Sequence, residues 1–304
     1  MDREDQGFDR KESVYPFNFL GLPGEYSSLE SSRIAVIPVP YEATTTWIKG
    51  TAGGPAAIIG ASCNIECYEV ETGSEVFRLG IHTDEEVRAS SSLEMVKTVS
   101  RRVSGHLQAG RFPVLLGGEH SITIGGVKAC RDAFADLSVL HLDAHADSRD
   151  EYEGTPYSHA CAMARVREMT PRTVSVGIRS LDSSELKALE GQAVYYCHRI
   201  QGSNDWMGEA VSRLTRNVYI TIDVDVLDPS IMPATGTPEP GGMGWRQVLD
   251  LLRMTCAQKN VIGFDMVELC PMNLPWAEFT AASLVYKTLS YKFGHLKKCR
   301  PVQS

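Results

Sequence analysis

Three short runs of this chain concentrate the residue types that do chemistry. Gly117-Gly118-Glu119-His120-Ser121 follows an apolar stretch at 112–116, Asp143-Ala144-His145-Ala146-Asp147 follows one at 137–142, and Asp223-Val224-Asp225 follows one at 217–222. In an extended segment, residues two apart point the same way. Asp143, His145 and Asp147 can therefore aim at one point if the strand end stays extended, and Asp223 and Asp225 can do likewise. With His120 they make four carboxylates and two imidazoles converging from three strand ends. A single aspartate at a strand end is ordinarily a turn or cap residue, and a single histidine is ordinarily packed in the core. Capping does not account for six such residues at period two. Mixed nitrogen and oxygen donors suit Mn²⁺, Zn²⁺, Fe²⁺ or Ni²⁺, and carboxylate dominance favours the harder ions, Mn²⁺ among them. The carboxylates repel one another unless about four positive charges sit among them, which two divalent ions supply. His141 shares the period of Asp143 and reads as a packed residue supporting the ligands.

The elements that must position these residues alternate along the chain. Apolar, β-branched segments at 33–39, 112–116, 137–142, 173–178, 193–197, 217–222 and 260–264 read as seven buried strands. Helical patterns at 54–62, 93–108, 121–134, 158–168, 183–190, 205–214, 245–258 and 276–293 separate them. Nearly all-apolar strands between helices signal a parallel sheet covered on both faces. No linker or repeat interrupts the pattern, so one α/β domain over 32–304 is expected, preceded by a leader at 1–31 that is extended over the domain or partly without order. Ligands of such sheets bind beyond the carboxyl ends of the strands, where the three runs fall.

Composition narrows the function classes. The chain has 304 residues, 43% of them apolar, with a formal net charge of −8. An acidic balance disfavours nucleic acid as a partner. The charged start carries no secretory apolar core, and no apolar run reaches membrane-spanning length. Eight scattered cysteines without a CxxC pair read as reduced thiols of a cytoplasmic protein. Cys63 and Cys67, four apart, are expected on one helix face as a structural pair.

The three runs, GGEHS, DAHAD and DVDVLDP, resemble the signature blocks of the ureohydrolase family, which contains arginases and agmatinases. Segments 50–62 (GTAGGPAAIIGAS), 176–180 (VGIRS), 236–242 (GTPEPGG) and 265–271 (DMVELCP) are similar to further family segments, so the resemblance runs over most of 33–290. It implies a single three-layer α/β/α domain around a mostly parallel eight-stranded sheet, one strand more than the pattern yields. It implies two Mn²⁺ per subunit, one held by His120, Asp143, Asp147 and Asp223 and the other by Asp143, His145, Asp223 and Asp225. It also implies a homotrimer or homohexamer, and hydrolysis of a guanidino compound to urea and an amine. In that reaction Asp147 also accepts a hydrogen bond from the attacking water. Glu268 pairs with the guanidinium through two parallel hydrogen bonds, Thr237 adds a hydroxyl contact, and His159 protonates the leaving amine.

The substrate is read from the loop at 148–154, SRDEYEG. It lacks the asparagine that arginases place close behind the last ligand and resembles prokaryotic agmatinases. Asp150, Glu151 and Glu153 favour a small cationic guanidino substrate by their field, whereas Arg149 favours a carboxylate-bearing one. The reading is agmatine to putrescine and urea. The alternatives are a guanidinobutyrase or guanidinopropionase, an arginase, a formimino hydrolase, or a silent metal-binding subunit.

Overall fold

The structure is a computed structural model that describes residues 17–300. Eight segments form strands: β1 Ile34–Val39, β2 Ile81–Thr83, β3 Phe112–Gly117, β4 Leu137–Leu142, β5 Thr173–Ile178, β6 Ala193–Tyr196, β7 Asn217–Asp223 and β8 Asn260–Val267. They pair in the order β2-β1-β3-β8-β7-β4-β5-β6, and every pairing is parallel. The sheet is thus wholly rather than mostly parallel. The strand missing from the sequence pattern is β2. It has three residues and lies at the sheet edge, paired only with β1, and three residues are too few for any periodicity to register.

The helices are α1 Gly24–Ser27, α2 Gly54–Ser62, α3 Ser92–Gln108, α4 Ile122–Ala133, α5 Ala162–Met169, α6 Leu186–Leu189, α7 Cys197–Ile200, α8 Trp206–Arg213, α9 Trp245–Gln258 and α10 Pro275–Phe293. Alternate strand residues feed two separate cores. Val114, Leu116, Leu140, Ile220 and Ile222 pack on the side of α2, α8, α9 and α10. Leu115, Val139 and Tyr219 pack on the side of α3 and α4. That alternation is the period-two consequence of the pleat, and it makes the three layers. Local chemistry sets the helix limits: Ser91 accepts the Glu94 N–H and so caps α3, and proline opens α2 and α10 near their first turns.

Several boundaries differ from the sequence reading. The helices expected at 158–168 and 183–190 each begin as a 3-10 turn, His159–Cys161 and Ser183–Glu185. α2 ends at Ser62, so Cys63 caps it and Cys67 lies beyond it; the two thiols do not share a helix face. Residues 1–16 of the expected leader lie outside the described residues. Its remainder is packed in: Phe19 is fully buried, and the Leu20 N–H donates to Ser62 Oγ over 2.7 Å.

Candidate active site

The four central neighbours β3, β8, β7 and β4 end at one edge of the sheet, and each contributes to a single cluster. His120 follows β3, Glu268 follows β8, Asp223 ends β7 and Asp143 follows β4. The loop after β3 lies against the segment after β1, where a Cβ on Gly118 would lie 2.1 Å from the Tyr41 carbonyl oxygen; only glycine permits that approach.

The structure brings all six expected ligand residues together, but not by extended strand ends. β7 stops at Asp223, and Val224–Val226 is a 3-10 turn whose Asp225 N–H donates to Asp223 Oδ1 over 2.9 Å. Asp147 has φ 46°, in the left-handed region. Turns, rather than the pleat, therefore aim these side chains. Asp225 Oδ1 accepts the Ala144 N–H at 3.0 Å, tying the β7 loop to the β4 loop.

His120 Nδ1 lies 3.1 Å from Asp143 Oδ2, 3.1 Å from Asp147 Oδ2 and 3.4 Å from Asp223 Oδ2. It is nonetheless a buried nitrogen without a hydrogen-bond partner. His145 Nδ1 lies 2.9 Å from Asp225 Oδ2 and 3.6 Å from Asp143 Oδ1. The ligand-type atoms of Asp143, His145 and Asp225 fall within 4.8 Å of one another, as do those of His120, His141 and Asp143. Both nitrogens of His141 are engaged, Nε2 with Asp143 Oδ2 at 2.8 Å and Nδ1 with Ser175 Oγ at 3.1 Å. His141 therefore braces Asp143 rather than facing the cluster.

The electrostatics favour added positive charge. Burial pushes the Asp223 carboxyl well above its ordinary range, and Asp225 and Asp143 push the same way. Burial also works against a charged Asp143, but His141, His120 and His145 outweigh it and hold that carboxyl well below the usual range. Burial likewise opposes a charged His145, yet Asp225 and Asp143 push it up to about 12. An orphaned imidazole nitrogen facing three carboxylates, with a second imidazole that shares Asp143 with it and faces a fourth, Asp225, fits divalent cations held by mixed N and O donors. This His/Asp cluster is a candidate metal site.

A cavity of about 260 Å³ opens onto it, near the lower end for small-ligand sites. It is lined by His145, Asp147, Asp223 and Asp225, and also by Glu268, His159, Arg149 and Thr237. The six expected ligands thus lie in the cluster, and Glu268, His159, Arg149 and Thr237 lie in the cavity wall. Glu268, at φ 64°, accepts the His120 N–H on Oε1 at 2.7 Å. Burial and the neighbouring Glu119 hold its carboxyl well above the ordinary range. Arg149 stacks over the Tyr152 ring at 4.9 Å and approaches Asp182 Oδ2 at 3.8 Å.

Other residues of the site were not singled out in the sequence. Asp182, Glu185, Tyr152 and Trp47 line the cavity, whereas Asp150, Glu151 and Glu153 do not. Asp150 instead pairs with Arg165 at 2.6 Å. The buried Glu119 accepts the Thr44 hydroxyl on Oε1 at 2.8 Å and the Ala43 and Thr44 N–H groups on Oε2 at 2.8 and 2.7 Å. Having given its proton to Glu119, Thr44 Oγ1 can only accept from His159 Nδ1, 3.1 Å away. Ser158 Oγ lies 3.3 Å from the same nitrogen, so Nδ1 is engaged on the protein side and Nε2 is the nitrogen left for the cavity. The available signal was the Glu119 carboxylate itself, an acid buried beside His120 in a glycine-rich turn.

A family model described as the arginase family matches residues 32–290. The chain is 41% identical over 267 residues to N(1)-aminopropylagmatine ureohydrolase from Thermus thermophilus, covering 86% of this chain and 91% of that protein. It is 33% identical over 279 residues to agmatinase from Pyrococcus horikoshii, covering 90% and 96%. Among solved structures it resembles agmatine ureohydrolase of Thermoplasma volcanium, with a TM-score of 0.82, 29% identity, and 92% and 96% of the two chains covered. The described residues contain no helix long and apolar enough to cross a membrane.

Proposed function

Because the chain belongs to the arginase family, whose members it matches are ureohydrolases, we propose that it hydrolyses a guanidino compound with a cationic tail, agmatine or its N1-aminopropyl derivative, to urea and an amine. The observation that carries this reading is the shared cavity, in which Glu268 and His159 line the same small space as the His/Asp cluster. Two ions, Mn²⁺ on this reading, would be held by His120, Asp143, Asp147 and Asp223, and by Asp143, His145, Asp223 and Asp225. When bound they supply activation of water at neutral pH and positive charge against the carboxylates.

The chain's own residues do the rest. Glu268, with Oε1 anchored to a backbone N–H, presents a fixed carboxylate to the guanidinium and sets its plane. Asp147 accepts a hydrogen bond from the attacking water. His159 takes up a proton on Nε2 from the surrounding water and passes it to the departing amine. Asp182 and Glu185 add negative charge to the cavity wall, and Arg149 is occupied by Tyr152 and Asp182. That balance supports a cationic tail, as do the names of the two relatives. Thr237 adds a hydroxyl to the same wall.

The test is urea release from the Mn²⁺-loaded chain offered agmatine, N1-aminopropylagmatine, guanidinobutyrate and arginine, with a chelated control. Chelator-sensitive release is expected from the first two, with kcat/KM for the carboxylate-bearing compounds lower by about a hundredfold or more, since like charges in a site cost several kcal/mol. Release from guanidinobutyrate alone would reverse the assignment of the tail. No urea from any compound, with two Mn²⁺ verified per chain, would sink the proposal.

Thr44→Val tests the proton-delivery arm. It keeps the shape of the side chain but frees His159 to turn or change tautomer. The expected result is a fall in kcat of about tenfold, a fraction of what general acid catalysis contributes, with KM little changed and Thr44→Ser restoring the rate. A rise in KM at unchanged kcat would make Thr44 a loop anchor only.

A further inference from the structure

Two residues before Asp143 on β4 and Asp223 on β7, a second polar row crosses the sheet. Ser175, His141, Thr221 and Asp265 stand side by side in register across β5, β4, β7 and β8. His141, Thr221 and Asp265 are fully buried and Ser175 is 2% exposed. The row lies on the face of the sheet that packs against α4, an otherwise apolar layer. Asp143 and Asp223 follow His141 and Thr221 by two positions, so ligand and supporting residue share a face of each strand. At one side of the row His141 braces Asp143. At the other side stands a buried carboxylate that the proposed reaction does not use.

Asp265 takes three neutral donors: the Thr221 hydroxyl on Oδ1 at 2.6 Å, and the Thr123 and Tyr219 hydroxyls on Oδ2 at 2.9 and 2.8 Å. A buried carboxylate is costly, and an apolar residue of similar volume would serve packing as well or better. What an apolar residue would not do is take the Thr221 proton. A threonine hydroxyl has one proton. With that proton given to Asp265, Thr221 Oγ1 can only accept from His120 Nε2, 2.8 Å away. In the neutral ring the proton is then held on Nε2, and Nδ1, which faces Asp143, Asp147 and Asp223, is the nitrogen left to a cation.

We propose that Asp265 is a positioning residue that holds His120 in its Nε2–H tautomer through Thr221 and thereby sets the affinity of the site for its cation. The inference rests on the metal reading of the cluster and adds to it the group that makes His120 a ligand rather than a donor. An amide at 265 can turn its NH₂ toward Thr221. The Thr221 hydroxyl is then free to donate to His120 Nε2, which moves the ring proton to Nδ1, where it blocks the cation. Tyr219 and Thr123 hold the same carboxylate from its other oxygen. Tyr219 has no contact with Thr221 through its hydroxyl, so its removal separates the relay from simple support of the core.

The experiment is calorimetric titration of Mn²⁺ into the chelator-stripped full chain, with metal-free melting followed for each variant. Asp265→Asn and Thr221→Val are expected to weaken Mn²⁺ binding by 10- to 100-fold, the usual range for loss of a group behind a metal-bound histidine. Thr221→Ser and Tyr219→Phe are expected to stay within about threefold of the parent, because both leave the relay intact. If Asp265→Asn does not fold, the contrast between Thr221→Val and Thr221→Ser decides. Mn²⁺ binding unaffected by loss of Asp265 or the Thr221 hydroxyl overturns the proposal, and so does a Tyr219→Phe chain weakened as much as Asp265→Asn. A parent chain that takes up no Mn²⁺ overturns the metal reading together with this one.

Discussion

Asp223→Asn is expected to lower urea release by about a thousandfold or more, while leaving the metal-free protein at least as heat-stable as the parent. A thousandfold corresponds to about 4 kcal/mol at 1.36 kcal/mol per factor of ten. The two halves of the prediction have one origin. Asp223 is 3% exposed and lies among Asp143, Asp225 and Glu268, which with burial push its carboxyl well above the ordinary range. Without a cation its charge is a cost to the fold. Asparagine keeps the oxygen that accepts the Asp225 N–H, so the turn at the end of β7 survives while the charge goes. Replacing uncompensated buried charge by a neutral group is commonly neutral or stabilising by about 1–4 kcal/mol. With Mn²⁺ the order reverses. Ligand binding stabilises the parent by about 4 kcal/mol at a thousand times Kd, and the variant, lacking a carboxylate proposed to serve both ions, loses most of that gain.

The pH dependence carries the same signature. The folded-state pKa of Asp223 lies above its unfolded value of about 3.9, so its favourable contribution to the metal-free chain is present below about pH 4 and is lost as pH rises through the raised pKa. The difference in stability between the metal-free parent and variant should therefore widen in favour of the variant as pH rises. Thermal melts with chelator and with Mn²⁺ at several pH values, beside a urea assay, check all three statements. A metal-free variant markedly less stable than the parent, still gaining fully from Mn²⁺, would make Asp223 a structural residue.

The layout of the sheet and the identity of the cluster were legible in the sequence for a physical reason. Strands buried on both faces leave long apolar runs, so the first polar residues after each run stand out, and in a parallel sheet those residues meet at one edge. The route by which they meet was not legible. Asp147 reaches the cluster through a left-handed residue, and Asp225 through a 3-10 turn; neither is encoded by the alternation that first grouped them. β2 was missed because three edge residues carry no pattern. The acids at 150, 151 and 153 were expected to favour a cationic substrate by their field, and they do not line the cavity. The left-handed residues Glu153 and Gly154, with the bridge between Tyr152 and Thr155, turn that loop back on itself. Its place is taken by Asp182 and Glu185, brought in by the loop after β5. Thr221 was absorbed into the strand at 217–222 as a tolerated polar residue, and Asp265 stood only as the first residue of the segment 265–271. Their spacing to Asp223 and Glu268 becomes informative only once the register places them beside one another.

Glu268→Gln is expected to lower kcat/KM for a guanidino substrate by about 100- to 1,000-fold, since losing one partner of a buried, hydrogen-bonded charge pair costs roughly 2–5 kcal/mol. Glutamine preserves the volume and keeps an oxygen for the His120 N–H, so the loop after β3 and the metal cluster should hold their positions. What disappears is the charge. Burial and Glu119 oppose the ionised Glu268, and an arriving guanidinium relieves that cost, so the pair forms with a gain that a neutral amide does not provide. Two further measurements separate substrate binding from an indirect effect. Inhibition by simple guanidinium ion should weaken by a similar factor while inhibition by a diamine stays the same, because only the guanidinium meets Glu268. Mn²⁺ affinity should change by no more than about threefold, since Glu268 is outside the proposed ligand set and acts on it only through a backbone hydrogen bond. If activity and Mn²⁺ affinity fall together, Glu268 works through His120, and the guanidinium must find its carboxylate elsewhere in the cavity, with Asp182 the first residue to test.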